Sequence, residues 1–517
     1  MPIKPIAYVA VLTLSAMLTP VLGAMGVRAS EPLSVIDWVQ QNPDQPAITS
    51  VAMPRTEPAV AQSGQIPQVS VEPLKGDALR IIGLVPSRVT GLGEDIWRGS
   101  DPAELSARLL NLPEFQLPAA QALLYTVLLT ETRGPGNDAA AEDLFTLARV
   151  SALQRFGALD PALALIEQAG VTRDKAHFAT YMDVALLTGQ EWAACNIIGA
   201  QLHLSPGMAH RIFCAARKGN WSTAALLFDT ASALDVISKE ETALLDRFLH
   251  PEYFEGLAPL RPPSPITPLL FRLHEAIGEP LTTRLLPRAY AVADLRDLAG
   301  WKAQLEAAER LAQSGALPEN RLLGLYTERL PAASGGIWDR VEAIQQLDTA
   351  LDTGSAKAVN KTLVNAWNAM QDAGLETAFA GILAERLQGL SLSGQAAQIA
   401  ERLIYLSPLY RDARYPEVAP LVQAVATGDP SLITSDDLFG QAIIEGFKPD
   451  AADARLITMA KQGREGEVIL RALALLQEGI EGDAGALRKG LGTLRALGFE
   501  ETARRASLQI LLLDRFG

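Results

Sequence analysis

Apolar positions in this chain recur at the spacing of one helix face. Near its end, Phe499, Ala503, Ala506, Ile510 and Leu513 follow at alternating intervals of four and three residues, which places them on a single helical stripe. Trp192, Cys195, Ile198 and Leu202 repeat the pattern, and so do Met208, Ile212 and Ala215 beyond the turn signal His203-Leu204-Ser205-Pro206. Between such stripes a glycine ends one helix and an alanine-rich helix opens shortly after it. The glycines are Gly157, Gly189, Gly219, Gly374, Gly463 and Gly498. Glycine suits the left-handed position that closes a helix C-terminus. Neighbouring copies lie 32, 30 and 35 residues apart, the period of a helix–turn–helix repeat. The pattern predicts an all-α chain, an irregular α-solenoid of antiparallel helix hairpins.

The copies FGALDPALALIEQAG, TGQEWAACNIIGAQL, KGNWSTAALLFDTAS, AGLETAFAGILAERL, QGREGEVILRALALL and LGFEETARRASLQIL resemble tetratricopeptide-like repeats. None carries the full Trp-Leu-Gly-Tyr set of that motif, and the register drifts between them. The resemblance implies an extended concave surface that holds peptides or protein elements. EPLSVIDWV and VTGLGEDIWRGSDP resemble stretches of exported alphaproteobacterial proteins. That likeness implies no activity.

The N-terminus changes the picture of compartment. Lys4 precedes an uncharged apolar run from Ile6 to about Gly26, and Val27-Arg28-Ala29 offers small residues at the cleavage positions. Residues 1–29 therefore read as a signal peptide cleaved before Ser30, with retention as a membrane anchor the competing reading. After cleavage no stable membrane insertion is expected. The periplasm of a Gram-negative bacterium is the predicted location.

Organisation follows from composition shifts. Residues 30–72 hold a short apolar segment and a proline-rich, disordered linker. In that segment Leu33, Ile36, Trp38 and Val39 suit an amphipathic helix that docks on a partner or packs back on the first repeat. Residues 73–101 read as an extended cap with one or two short strands. A helical-repeat half spans 102–254, and a joint at 255–268 carries all five prolines between 259 and 268. A second helical half runs over 269–517, with a smaller break near Ser435.

Both cysteines lie in one predicted hairpin. Cys195 sits nine residues before Leu204 and Cys214 nine after Ser205, so an antiparallel fold brings them to the same height. In an oxidising compartment Cys195 and Cys214 should close a disulfide.

The net charge of −14 excludes a phosphate-neutralising surface, so neither nucleic acid nor an anionic membrane is an expected partner. Candidate chemistry is sparse. The five histidines, His177, His203, His210, His250 and His274, match no ligand spacing, even with Glu191 near His203 and His210. No cofactor or metal is expected, and neither a phosphate-binding loop nor a nucleophile elbow is present. Glu241, Glu275 and Asp436 are carboxylates of the type a sugar-cleaving enzyme needs, each set among ordinary surface residues. Trp192 and Trp221, near helix starts, fit repeat-core packing. The function expected is a non-enzymatic envelope scaffold that binds a protein or peptide partner. The alternative is a cell-wall protein resembling lytic transglycosylases or an accessory of one, with peptidoglycan as partner.

Overall fold

The computed structural model describes residues 80–515 apart from Asn137, Asp297 and residues 414–418. The signal segment and Leu33, Ile36, Trp38 and Val39 lie outside the described residues. Helices of eight residues or more begin with α1 (Pro102–Leu110), α2 (Pro118–Leu129), α3 (Ala139–Arg155), α4 (Leu159–Ala169) and α5 (Lys175–Thr188). Next come α6 (Glu191–Ala200), α7 (Met208–Arg217), α8 (Trp221–Ala233), α9 (Lys239–Leu249) and α10 (Pro268–Ala276). Then follow α11 (Trp301–Ala312), α12 (Glu319–Thr327), α13 (Ile337–Asp352), α14 (Ala356–Asp372), α15 (Glu376–Leu387) and α16 (Gly394–Leu406). The last are α17 (Pro420–Thr427), α18 (Leu438–Gly446), α19 (Glu465–Ile480), α20 (Ala484–Ala496) and α21 (Glu500–Leu512). The all-helical expectation holds.

Local chemistry sets the helix ends. Asp101, Asp138, Asp174, Ser355 and Asp483 accept first-turn N–H groups as N-caps. Proline opens α1, α2, α10 and α17, where its missing N–H is no loss. All six repeat glycines have positive φ, from +64° at Gly374 to +92° at Gly498, and in each copy the next helix begins two residues later. The N–H of the residue after the glycine donates to a carbonyl five positions back at Ala158, Gln190, Asn220, Leu375 and Phe499, the closing bond of a Schellman motif.

Extended backbone pairing among the described residues is confined to two isolated bridges, Ile82 with Thr132 and Val85 with Thr130. They lay the segment preceding α1 across the end of α2. The buried Arg149 guanidinium holds this strap, donating to the carbonyls of Leu128, Thr130 and Ile82. Burial pulls its pKa down to about 9, so it stays charged at neutral pH and sits at the favourable carboxyl end of α2.

Neighbouring helices pair along much of the chain, as α7 with α8, α13 with α14 and α19 with α20. The repeats do not touch only their neighbours, however. Helix α2 packs on α21 and α19, so the first described helices close against the last. Leu117, the N-cap of α2, provides no side-chain cap. Instead Gln509 of α21 accepts from the Ala119 N–H at 3.0 Å, and Gln477 of α19 accepts from Gln116 N–H at 2.9 Å. Two backbone bonds complete the closure, Gly99 N–H to Gly463 O and Gly466 N–H to Ile96 O, each 2.9 Å.

Contacts also cross the proline-rich stretch. Tyr125 on α2 donates to Ser314 O, and the Ser314 hydroxyl donates to Phe156 O. Arg288 pairs with Glu114. Between the short turn Pro251–Tyr253 and Pro268 the chain forms no helix and runs largely over the surface. No helix among the described residues is long and apolar enough to cross a membrane.

Candidate functional site

The cysteine hairpin organises its surroundings. Helices α6 and α7 run on either side of the turn at Leu202–Leu204, and Cys195 and Cys214 join them by a disulfide with Cα atoms 5.0 Å apart. Both cysteines are buried, as are Ile198 and Ile212. Such a bond is compatible with an oxidising compartment.

The tryptophans depart from expectation. Trp192 and Trp221 are not repeat core: they are 59% and 51% exposed. For Trp192 the reason is angular. At about 100° per residue, Trp192 lies roughly 60° outside the arc that Cys195 and Ile198 turn into the core. Trp221 lies only about 20° from the buried Phe228, seven residues on, and is exposed as the first residue of α8. Leu202 is exposed too, because it falls beyond the end of α6 in a short 3-10 turn, where the helical period no longer applies.

These side chains belong to a wider feature. Of seventeen large apolar side chains exposed on the described surface, eight fall between Trp192 and Leu257. Contiguous exposed apolar surface marks an interaction site more often than scattered leucines do, and these eight are neighbours along the chain, on α6, α8 and the turns that follow them. Within the stretch lies a hollow of about 510 Å³ lined by Trp221, Phe248, Phe254 and Ile277, together with Glu252 and Glu255. Trp221 packs on Phe248 at 5.7 Å, and Phe248 on the buried Phe213 at 5.9 Å, so an aromatic ladder leads from core to surface. Arg247 covers Phe254 from 5.5 Å and pairs with Glu279 at 2.5 Å. Glu279 also accepts from Leu260 N–H, and Arg247 donates to Ala258 O, which ties the start of the proline-rich strap to α9. Glu252 and Glu255 have no ion-pair partner among the described residues.

The carboxylates singled out by type are dispersed and employed. Glu241 completes a capping box with Ser238 at the start of α9. Glu275 pairs with Arg272 and Arg296. Asp436 is exposed just before α18. The structure brings no two of them together.

The histidines do not converge either. His177 bonds Asp174 at 2.9 Å and His250 bonds Asp246 at 2.9 Å. His203 is exposed, and Glu191 is taken up by Arg217 and Arg272. Burial lowers the pKa of His210 to about 4, and its Nδ1 has no hydrogen-bond partner. His274 is buried with both ring nitrogens unpartnered and its pKa is lowered by that burial. Among the described residues no group of three potential metal ligands assembles.

Two features escaped the sequence. Asp183 on α5 is half-buried and has no hydrogen bond or ion pair among the described residues, and burial raises its carboxyl to about 6. A second hollow of about 530 Å³ is lined from four distant segments and contains Gln121, Glu319, Thr377 and Arg505. No local signal announces either, because each depends on which helices meet. Comparison with protein-family models, curated proteins and solved structures gives no match to this chain.

Proposed function

We propose that the protein is a non-enzymatic scaffold of the periplasm that binds a protein or peptide partner through the exposed apolar face between Trp192 and Leu257. The observation that carries this reading is the concentration of exposed apolar side chains on α6, α8 and the turns between Leu202 and Leu257. The disulfide within the same hairpin supports an oxidising location and makes the face rigid, so little ordering accompanies binding. Exposed tryptophan beside an aromatic-lined hollow is the composition of an interface anchor. The unpaired Glu252 and Glu255, with the acidic balance of the whole chain, favour a partner segment that joins apolar side chains to Lys or Arg.

Photo-crosslinking in intact cells tests it. A crosslinker at Trp221 or Tyr253 should capture one defined protein that the same probe at Lys302, exposed on α11, does not. The comparison is run full-length and without residues 30–39, which separates docking by the face from docking by the N-terminal segment. With the captured partner purified, Trp221→Ala should weaken binding by roughly thirtyfold, the effect of losing an anchor of about 2 kcal/mol. Equal capture at all positions would sink the proposal. Recovery of cell-wall fragments without a protein would favour the hydrolase alternative.

A further inference from the structure

The hollow at the closure carries a second, separate assignment. It lies where one stripe of α2 (Gln121, Tyr125) meets the turn between α11 and α12, the start of α15 and Arg505 of α21. Its charges are unusual for this protein, in which most arginines inside the fold hold a carboxylate. Arg505 has no ion pair among the described residues, and its buried Nε has no hydrogen-bond partner. Glu319, the first residue of α12, is likewise without an ion pair or hydrogen bond, and its carboxyl end lies against Gly381 of α15. The two charges sense one another yet do not join. Thr377, the second residue of α15, also lines the hollow, but its unpartnered Oγ1 is enclosed and does not reach it.

We propose that this hollow binds a small zwitterion, with Arg505 receiving a carboxylate and Glu319 receiving an ammonium. An opposite-charge pair held apart in one recess is complementary to a molecule bearing both charges, and charge-assisted bonds are the strong ones. Burial of the Glu319 carboxyl end raises its pKa, with the Arg505 charge opposing the rise, although the residue as a whole is exposed. A bound ammonium would reverse that rise. Free amino acids and the ends of short peptides share this chemistry. A volume of about 530 Å³ falls within the range of small-molecule sites and leaves room for more than one residue. The site is distinct from the partner face, so each stands or falls alone.

Calorimetric titration of the full chain tests it with alanine, Ala-Ala, N-acetyl-Ala-Ala and Ala-Ala-amide. Unblocked Ala-Ala should bind, and acetylation or amidation should each weaken it at least tenfold. In Glu319→Gln the acetylation penalty should vanish, and in Arg505→Gln the amidation penalty should vanish. Gly381→Ala is an independent probe. Alanine favours a helix over glycine, but its methyl would overlap the Glu319 carboxylate, so the variant should stay folded by thermal melting and lose binding. Tighter binding of alanine than of Ala-Ala would name a free amino acid as the ligand, and the reverse a peptide end. Absence of binding for every probe at millimolar concentration overturns the proposal. So do blocked peptides that bind as well as free ones.

Discussion

The closure of the chain on itself can be tested by one pair of substitutions whose signs are opposed. Trp97, fully buried, stacks obliquely on Phe145 at 5.1 Å and donates from Nε1 to Thr132 Oγ1 at 3.2 Å. Its six-membered ring covers Gly466, the second residue of α19. A methyl added there would stand 2.5 Å from Cε3 and Cζ3 and 2.8 Å from Cδ2. Were the ends of the array apart, Gly466→Ala would be stabilising by up to about 1 kcal/mol, the helix preference of alanine. With the ends closed, overpacking against a rigid ring costs about 1–3 kcal/mol, so against that preference a net loss of up to about 2 kcal/mol is expected. Trp97→Ala alone should cost about 3–5 kcal/mol. In that background the new methyl meets no ring and Gly466→Ala should turn neutral or favourable. The cycle therefore predicts a coupling of about 2 kcal/mol between residues at opposite ends of the described chain. Urea unfolding followed by far-ultraviolet ellipticity reads all four proteins. A stabilising Gly466→Ala in both backgrounds, with coupling near zero, would refute the closure.

Three further outcomes follow from local chemistry. Replacing Cys195 and Cys214 by serine should lower stability by about 3 kcal/mol in the chain-entropy model, given their separation of 19 residues, and reductant should lower the urea midpoint of the native protein but not of the variant; equal response of both would exclude the bond. Asp183 titrates near 6 in the folded chain against 3.8 as its ordinary value, so its contribution is fully present below about pH 4 and is lost as pH rises through 6. Asp183→Asn should accordingly gain on the native protein by on the order of 2–3 kcal/mol from pH 4 to pH 8, a gap that constant stability difference across the range would disprove. At Gly219, with φ +81° and no atom near a built Cβ, alanine should cost about 1–2 kcal/mol through backbone conformation alone, visible as a lowered melting temperature; no change would mean the left-handed end of α7 is not kept.

What the sequence makes legible here is what a few neighbouring residues decide. A glycine followed two residues later by a helix start is a local event, and all six copies form it. The height of Cys195 against Cys214 needed only counting from a turn. Helix rotation is a different matter, since Trp192 and Cys195 share a spacing but the core occupies only part of the arc they span. Partners farther away were invisible. Gln509 is an ordinary polar residue in its own helix, and only the meeting of α21 with α2 makes it the cap of Ala119. The zwitterion hollow belongs to the same class. Thr377 and Arg505 fall in two of the repeat copies and Glu319 outside them, and nothing in that pattern brings the three together.

The closure also accounts for where the two proposed sites lie. A repeat array that touches only its neighbours has two end faces, each needing a polar cap. Here the ends cover one another, and that contact folds the turn after α11 and the start of α15 onto α2 and α21, creating a recess whose walls come from four segments. The helices α6–α9 take no part in it. They pack on one another and on α5 and α10, and α6, α8 and the turns after them keep exposed apolar side chains that the closure does not cover. A recess built from converging charged residues suits a small ligand, whereas a rigid apolar face suits a macromolecule. If closure is what forms the recess, the Trp97→Ala protein should lose zwitterion binding together with stability. The same protein should keep partner capture at Trp221, which depends on α6–α9 and their disulfide alone.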